Sequence, residues 1–258
     1  MRVYTQEDIK KRRNSSDFTA LKNKVQLEKP NSKTIYIFDI DFTILNPLEP
    51  SLHLGTISLY RKDFYKFLSN MKLEQRQKLL NYVTYYDKVK LVHSGIPSLI
   101  SLLSKKNIAT IGLSSMAYGD VCHLKMVHEE RNRNLTKYKI KFSPSFISLC
   151  NSFLIQKSFF YDGILYSNTV EREGKALAFF QLLSNYKNDF DQIIYVDDNE
   201  DNFLEMKKYI EVNQIKIGFD CFHFLEAYNV QCDQVSLEDF TSFWEKRLQE
   251  IKAPTIAK

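Results

Sequence analysis

Residues 34–43 read TIYIFDIDFT. The first five are β-branched, aliphatic or aromatic and apolar on both alternating faces, the composition of a strand buried on both sides of a sheet. Asp39 follows at once, with Asp41 and Thr43 at two-residue intervals. In an open parallel sheet the carboxyl ends of the strands are where ligands bind, so the reading predicts a site at this point.

Three other runs share that composition: 108–113 (IATIGL), 192–196 (QIIYV) and 215–219 (IKIGF). Between them lie stretches with helical apolar spacing, at 96–104, 119–131, 175–184, 202–209 and 237–251. Such alternation predicts an α/β fold, a mainly parallel sheet flanked by helices. Two segments depart from it. Residues 46–93 are rich in Tyr and Lys and contain one Gly, Gly55, so they are expected to form a helical cap inserted after the first strand. Residues 138–168 read as extended, and Asp162-Gly163 between two apolar runs predicts an antiparallel, peripheral hairpin over 159–167. The expected organisation is a basic arm at 1–32, a core at 33–45 and 94–258, and the cap at 46–93.

Composition removes several classes. With 258 residues, 44% hydrophobic and 26% charged, the chain is neither disordered nor fibrous. No apolar run reaches the roughly 18 residues of a membrane-spanning helix, and the polar start offers no secretory signal, so no membrane partner is expected. Cys122, Cys150, Cys221 and Cys232 lie far apart without a CxxC pair, which suits thiols in a reducing compartment and predicts a cytoplasmic location. The net charge of +5 sits wholly in residues 1–33, with nine Lys/Arg against four Asp/Glu, and the remainder balances. The densest run, Lys10 to Arg13, is too short to argue for nucleic acid, and a solvated arm is the expectation.

The polar residues at the strand ends carry the chemistry. Asp39, Ser114 and the pair Asp197-Asp198 each end a different predicted strand. Gathered in one crevice, Asp39, Asp41, Asp197 and Asp198 repel one another unless a cation intervenes, and oxygen-only ligands favour Mg²⁺. Competing motifs fail. His128-Glu129-Glu130-Arg131-Asn132 has Asn where a zincin helix needs its second His, and neither GxSxG nor GxxxxGK[ST] occurs. His53, His93, His123 and His223 are isolated. Trp244 reads as packing, and Tyr60, Tyr65, Tyr82, Tyr85 and Tyr86 are candidates to line a cleft.

FDIDFT at 38–43 resembles the D-x-D-x-T signature of the haloacid dehalogenase-like (HAD) hydrolases. Ser114 resembles that family's Ser/Thr after the second core strand, Lys175 its lysine before a helix, and Asp197-Asp198 its acidic pair. The resemblance covers about residues 33–220, and the run DGILYSNTVEREGKALAFFQLL followed by IIYVDDNEDN is similar to a poorly characterised bacterial branch. Members more often have Gly after the lysine and Asn after the second Asp, where this chain has Ala176 and Phe42. The aromatic Phe42 is expected to narrow the site or redirect the cap.

This resemblance implies a Rossmann-like core and a Mg²⁺-dependent phosphatase acting on a phosphorylated substrate, a small molecule rather than a protein. Asp39 would be the nucleophile and Asp41 the acid/base. Thr43, Ser114 and Lys175 would bind phosphate, with Lys157 a rival lysine. Asp39, Asp41 and one or both of Asp197 and Asp198 would hold the metal, with Asp201 or Asn202 in its surroundings. Two alternatives stay open: a phosphotransferase or mutase, and a catalytically silent scaffold that binds a protein partner through the cap or the basic arm.

Overall fold

The computed structural model describes residues 17–86, 88–122, 124–144, 152–168, 174–184, 190–229 and 235–252; Cys150, Cys232, His123 and the Lys10–Arg13 run lie outside them. In chain order the elements are α1 (Asp17–Leu27), β1 (Thr34–Phe38), β2 (Leu45–Pro47), α2 (Leu54–Leu59), α3 (Arg61–Ser69), α4 (Leu73–Tyr86), β3 (Val89–Leu91), α5 (Ile96–Lys105) and β4 (Ala109–Ser114). There follow α6 (Val127–Lys137), β5 (Ser152–Ile155), β6 (Ser158–Tyr161), β7 (Ile164–Tyr166), α7 (Lys175–Ser184), β8 (Gln192–Asp197), α8 (Glu200–Val212), β9 (Gly218–His223) and α9 (Leu237–Lys252).

Seven strands form one sheet in the order β5-β6-β7-β4-β1-β8-β9. β1 runs parallel to both β4 and β8, β8 to β9, and β4 to β7, while β6 is antiparallel to β5 and β7. The chain leaves β1 to build β4 on one side and later returns to build β8 on the other. The carboxyl end of β1 is therefore a point where the winding reverses, the place in such sheets where a crevice opens.

Side chains alternate across a strand, so β1 feeds two cores. Tyr36 and Phe38 face Leu21 and Val25 of α1 and Ile96, Leu99, Ile100 and Leu103 of α5. Ile35 and Ile37 face the opposite layer, where Ala176, Phe179 and Leu182 of α7 and Phe203 and Met206 of α8 pack. Each fully buried aliphatic chain contributes about 1.5–3 kcal/mol, which makes this double burial the main force fixing β1 at the sheet's centre.

Several elements differ from the sequence expectations. The described part of the leading segment is not a solvated arm, because α1 buries Leu21 and Val25 against the sheet. The 159–167 hairpin is antiparallel but not peripheral: β7 pairs with β4 and so extends the main sheet. Asp162 and Gly163 at its turn have φ of 46° and 87°, the left-handed pair a tight two-residue hairpin requires. The last strand is Gly218–His223, not 215–219. Asn213 caps α8, Gln214 takes φ 51°, and Ile215 donates to the Ile210 carbonyl, so these residues close the helix instead of starting a strand.

The helix expected from 119 begins only at Val127, since Gly119, Cys122 and Met126 all have positive φ and wind a loop first. Residues 46–93 are largely helical as expected, framed by the antiparallel β2–β3 pair. The C-terminal helix, assigned from sequence to the core, instead packs on this insertion. Phe240 and Trp244 of α9 share a cluster with Ile57, Phe64, Leu68, Leu79 and Tyr82.

Candidate functional site

Asp39 is set by the strand before it. Its N–H donates to the Val196 carbonyl at 2.9 Å, continuing the β1–β8 ladder one residue beyond β1 and bringing Asp39 beside Asp197. The chain then doubles back. Ile44 and Leu45 both donate to the Ile40 carbonyl, and Phe42 donates to Leu45 O at 2.7 Å. Phe42 takes φ 66°, a left-handed conformation that Asn tolerates and a bulky aromatic residue rarely adopts. Packing holds it there, against Leu54, Leu225, Ala227 and Tyr228.

Asp39, Asp197 and Asp198 are all buried, and one carboxylate oxygen from each lies within 4.8 Å of the others. Lys175, the first residue of α7, reaches into this group, with Nζ 2.5 Å from Asp39 Oδ1 and 2.8 Å from Asp197 Oδ2. Glu205 of α8 fixes the start of α7 by accepting the Ala176 N–H at 3.0 Å, and its carboxylate fills the space a Cβ at Gly174 would need. Burial lowers the Lys175 ammonium, but Asp197 and Asp39 outweigh it and hold the group above its ordinary value.

The two members of the acidic pair differ. Asp197 is saturated: Oδ1 accepts from Asn199 N at 2.8 Å and Asn202 Nδ2 at 2.9 Å, and Oδ2 from Lys175, from Tyr195 Oη at 2.5 Å and from Asn202 Nδ2 at 2.8 Å. Asp198 instead lines an open cleft together with Asp39, Asp41 and Lys175. Burial, then the negative charges of Asp197 and Asp39, push the Asp198 carboxyl well above the usual range. Burial also raises Asp39, to about 7, against the pull of Lys175 and with help from Asp197 and Asp41.

Asp41 is held from the far side by Arg131 of α6. Arg131 is 1% exposed, and its Nη2 lies 2.9 Å from both Asp41 Oδ1 and the Thr84 carbonyl of α4, with the guanidinium over the Tyr85 ring. Ser114 Oγ donates to Asp41 Oδ2 at 3.4 Å and accepts from Met116 N at 3.2 Å. Ser114 thus supports Asp41, and the neighbouring Ser115 is the one in the cleft wall. Thr43 is likewise behind the site, donating to Asp39 Oδ2 at 3.4 Å.

Lys157, the rival lysine, lies elsewhere, beside Ser158, Ser167 and Asn168. Of the Tyr side chains expected in the cleft, Tyr60, Tyr65, Tyr82 and Tyr85 do not line it, and Tyr65 is exposed. Tyr60, Tyr82 and Tyr85 donate to Val235 O, Glu250 Oε2 and Ala117 O. Arg131, Tyr195 and Glu205 are the site's supports that sequence reasoning missed. For Arg131 a signal exists, since Val127, Arg131 and Leu135 at four-residue steps occupy one buried helical face.

The cleft has a volume of about 590 Å³. One wall is the strand-end cluster, and the other is the insertion with α9, through Leu52, Ile57, Leu80, Val83 and Trp244. Four strand-end carboxylates, Asp39, Asp41, Asp197 and Asp198, meet two buried cations, Lys175 and Arg131, and Asp201 and Glu205 also line the cleft, so the formal balance is negative. A cation would offset that excess, and an all-oxygen donor set fits a hard ion such as Mg²⁺. Asp198 and Asp39 have the open aspect a ligand needs; Asp197 does not.

Residues 14–255 match the family model described as "Protein of unknown function (DUF2608)", and the chain belongs to that family. No curated protein and no solved structure matches it.

Proposed function

We propose that this member of the DUF2608 family is a HAD-like, Mg²⁺-dependent phosphatase that hydrolyses a phosphomonoester through a phosphorylated Asp39. The observation that carries the reading is the convergence of Asp39, Asp41, Lys175 and Asp198 on one cleft at the end of β1. A phosphate ester resists attack because its charge repels the nucleophile, so a site must neutralise charge and align the attack.

Lys175 fixes Asp39 through Oδ1, while Oδ2 accepts the longer bond from Thr43, and the carboxyl group also meets that of Asp198. Oδ2 is the oxygen that attacks phosphorus, forming the aspartyl-phosphate as the alkoxide leaves. Asp41, aimed by Arg131 and Ser114, gives the alkoxide its proton, then takes one from the water that cleaves the acyl phosphate. Lys175 and Ser115 meet the phosphoryl oxygens. Asp39, Asp198 and the Asp41 carbonyl would hold Mg²⁺, which when bound supplies neutralisation of phosphoryl charge. Residues 46–93 act as the cap, excluding water and selecting the substrate.

Turnover of p-nitrophenyl phosphate with and without Mg²⁺ tests the reading. The wild type should require the ion, and Asp39→Asn should fall to background. Asp41→Asn should harm an alkyl phosphate more than the nitrophenyl ester, by about 10², because only the poor leaving group needs the proton. Mg²⁺-independent turnover, or wild-type turnover by Asp39→Asn, would sink it. No turnover of any ester would favour the silent scaffold.

A further inference from the structure

Two N–H groups in the cleft wall have nothing to donate to. Arg76 Nε and Trp244 Nε1 are buried with no hydrogen-bond partner among the described residues, and both residues line the cleft that holds Asp39 and Asp198. Trp244 is 2% exposed. A guanidinium and an indole are donors only, so no rotation turns either into a group that its present neighbours satisfy. Buried donors are nearly always paired, and what pairs them is an acceptor oxygen.

Among the described residues no acceptor oxygen reaches either donor. One turn away from Arg76 along the chain, Lys72, Leu73, Leu79 and Leu80 carry no carboxylate, and Glu74 is engaged by Lys78 at 2.9 Å. The contrast with the cleft's other wall is direct. There Lys175 holds Asp39 and Asp197, and Arg131 holds Asp41 from behind, whereas Arg76 has no ion pair among the described residues. The same lining presents Leu52, Ile57, Leu80 and Val83, with the uncharged Gln77, Asn81 and Thr84 as its other polar side chains on this wall.

We infer that Arg76 and Trp244 form a second anion subsite in the cleft, so that the substrate is a phosphomonoester whose organic part carries a further carboxylate or phosphate. The inference rests on the phosphatase reading of Asp39 for the first phosphate. One end of the ligand meets the strand-end cluster. Its stem lies on the aliphatic wall, and its second anion accepts from the guanidinium and the indole N–H. The cleft's volume suits a metabolite-sized molecule of that kind.

The test compares kcat/KM for propyl phosphate, the phosphate ester of 3-hydroxypropionate and 1,3-propanediol bisphosphate. One or both anionic esters should exceed propyl phosphate by about tenfold or more, since a buried donor left unpaired penalises the ligand that lacks the acceptor. The two anionic arms tell carboxylate from phosphate. Arg76→Gln should erase most of the advantage and Arg76→Lys should restore part of it. Trp244→Phe, which keeps the ring and loses the N–H, should reduce it several-fold. Equal kcat/KM across the panel, with p-nitrophenyl phosphate turned over, would overturn the subsite and leave the phosphatase reading standing.

If no ester is turned over, the phosphatase reading falls and titration calorimetry decides the subsite alone. 3-Phosphonopropionate should then bind the wild type about tenfold more tightly than propylphosphonate does, and Arg76→Gln should remove the difference. Equal affinities, or no binding of either, would overturn it.

Discussion

Replacing Lys175 with Met tests whether the ammonium is what allows Asp39 and Asp197 to lie side by side. Met keeps most of the stem's volume, so the change removes charge and donors and opens little cavity. Two charge-assisted hydrogen bonds go, at 2.5 and 2.8 Å. At about 1.5–3 kcal/mol each they bracket the same loss as the about 3–5 kcal/mol for breaking a buried ion pair, so about 4 kcal/mol is expected. The loss falls on Asp39. Asp197 keeps Tyr195, Asn199 and Asn202, whereas Asp39 keeps Thr43 at 3.4 Å and a crowded contact with the Asp198 carboxyl. For a chain of this size each kcal/mol moves the midpoint by about 2–4 °C, so Tm should drop by about 8–16 °C. The single Trp, buried at position 244, reports unfolding by its fluorescence. Saturating Mg²⁺ should shrink the deficit, because a cation bound at Asp39 and Asp198 replaces part of the lost charge. A Tm unchanged within about 2 °C would refute the role given to Lys175. A deficit equal with and without Mg²⁺ would refute the shared neutralisation.

Asp197→Asn and Asp198→Asn should part company. The first turns an NH₂ toward saturated donors and should lower Tm, whereas the second relieves crowding and should keep Tm while abolishing Mg²⁺-stimulated turnover; thermal melts and Mg²⁺ titrations check both. Arg131→Leu strips Asp41 and the Thr84 carbonyl of their partner and should cost about 3–5 kcal/mol in urea unfolding, with Arg131→Lys failing to restore it for want of a planar fork. His128 accepts the Gly119 N–H at Nδ1, packs edge-on against Phe159, Tyr161 and Tyr166, and is held by burial below its usual value despite Glu129. A base with a depressed folded pKa lends stability that is whole above the unfolded value of about 6.5 and is lost as pH falls below it. His128→Asn should therefore flatten the fall in Tm between about pH 6.5 and 5, and an unchanged slope would discard the idea.

How far the sequence could be read follows from how local each signal is. TIYIF and QIIYV were legible because a strand buried on both faces must be apolar at every position, and no other element competes for such a run. IKIGF misled for the same reason. Ile215 and Ile217 pack half-buried against the α7–α8 layer, and the strand beside them, GFDCFH, sits at the sheet's edge with Asp220 and Cys221 exposed. An edge strand needs apolar side chains on only part of its surface, so hydrophobicity drew the boundary three residues early. The start of α6 was misplaced because helical spacing persists through 119–126, while three left-handed residues in that loop leave no mark on the pattern. The destination of α9 was illegible on principle: an amphipathic stripe says that a face is buried, not against what.

The site divides along the same line. Carboxylates that end strands were visible because a strand end is a local event, and so were Lys175 and the acidic pair. Which oxygen is free and which is spent is not local, and it decides the chemistry. Asp197 and Asp198 are adjacent in sequence, yet strand geometry sends one inward to five donor contacts and the other to the cleft. Arg131 shows the converse. In a polar helix it reads as one more solvated charge, but its place between Val127 and Leu135 turns it inward, where it ties Asp41 to Thr84 and Tyr85. It thereby joins the turn after β1 to α4, the helix that also carries Arg76. A movement of α4 that brought Arg76 onto a ligand's second anion would act on the carbonyl and ring that position Arg131, and through Arg131 on Asp41. On the proposed phosphatase reading, recognition of the ligand's far end and placement of Asp41 would then be mechanically linked through the buried Arg131, a role that would offset the cost of its desolvation.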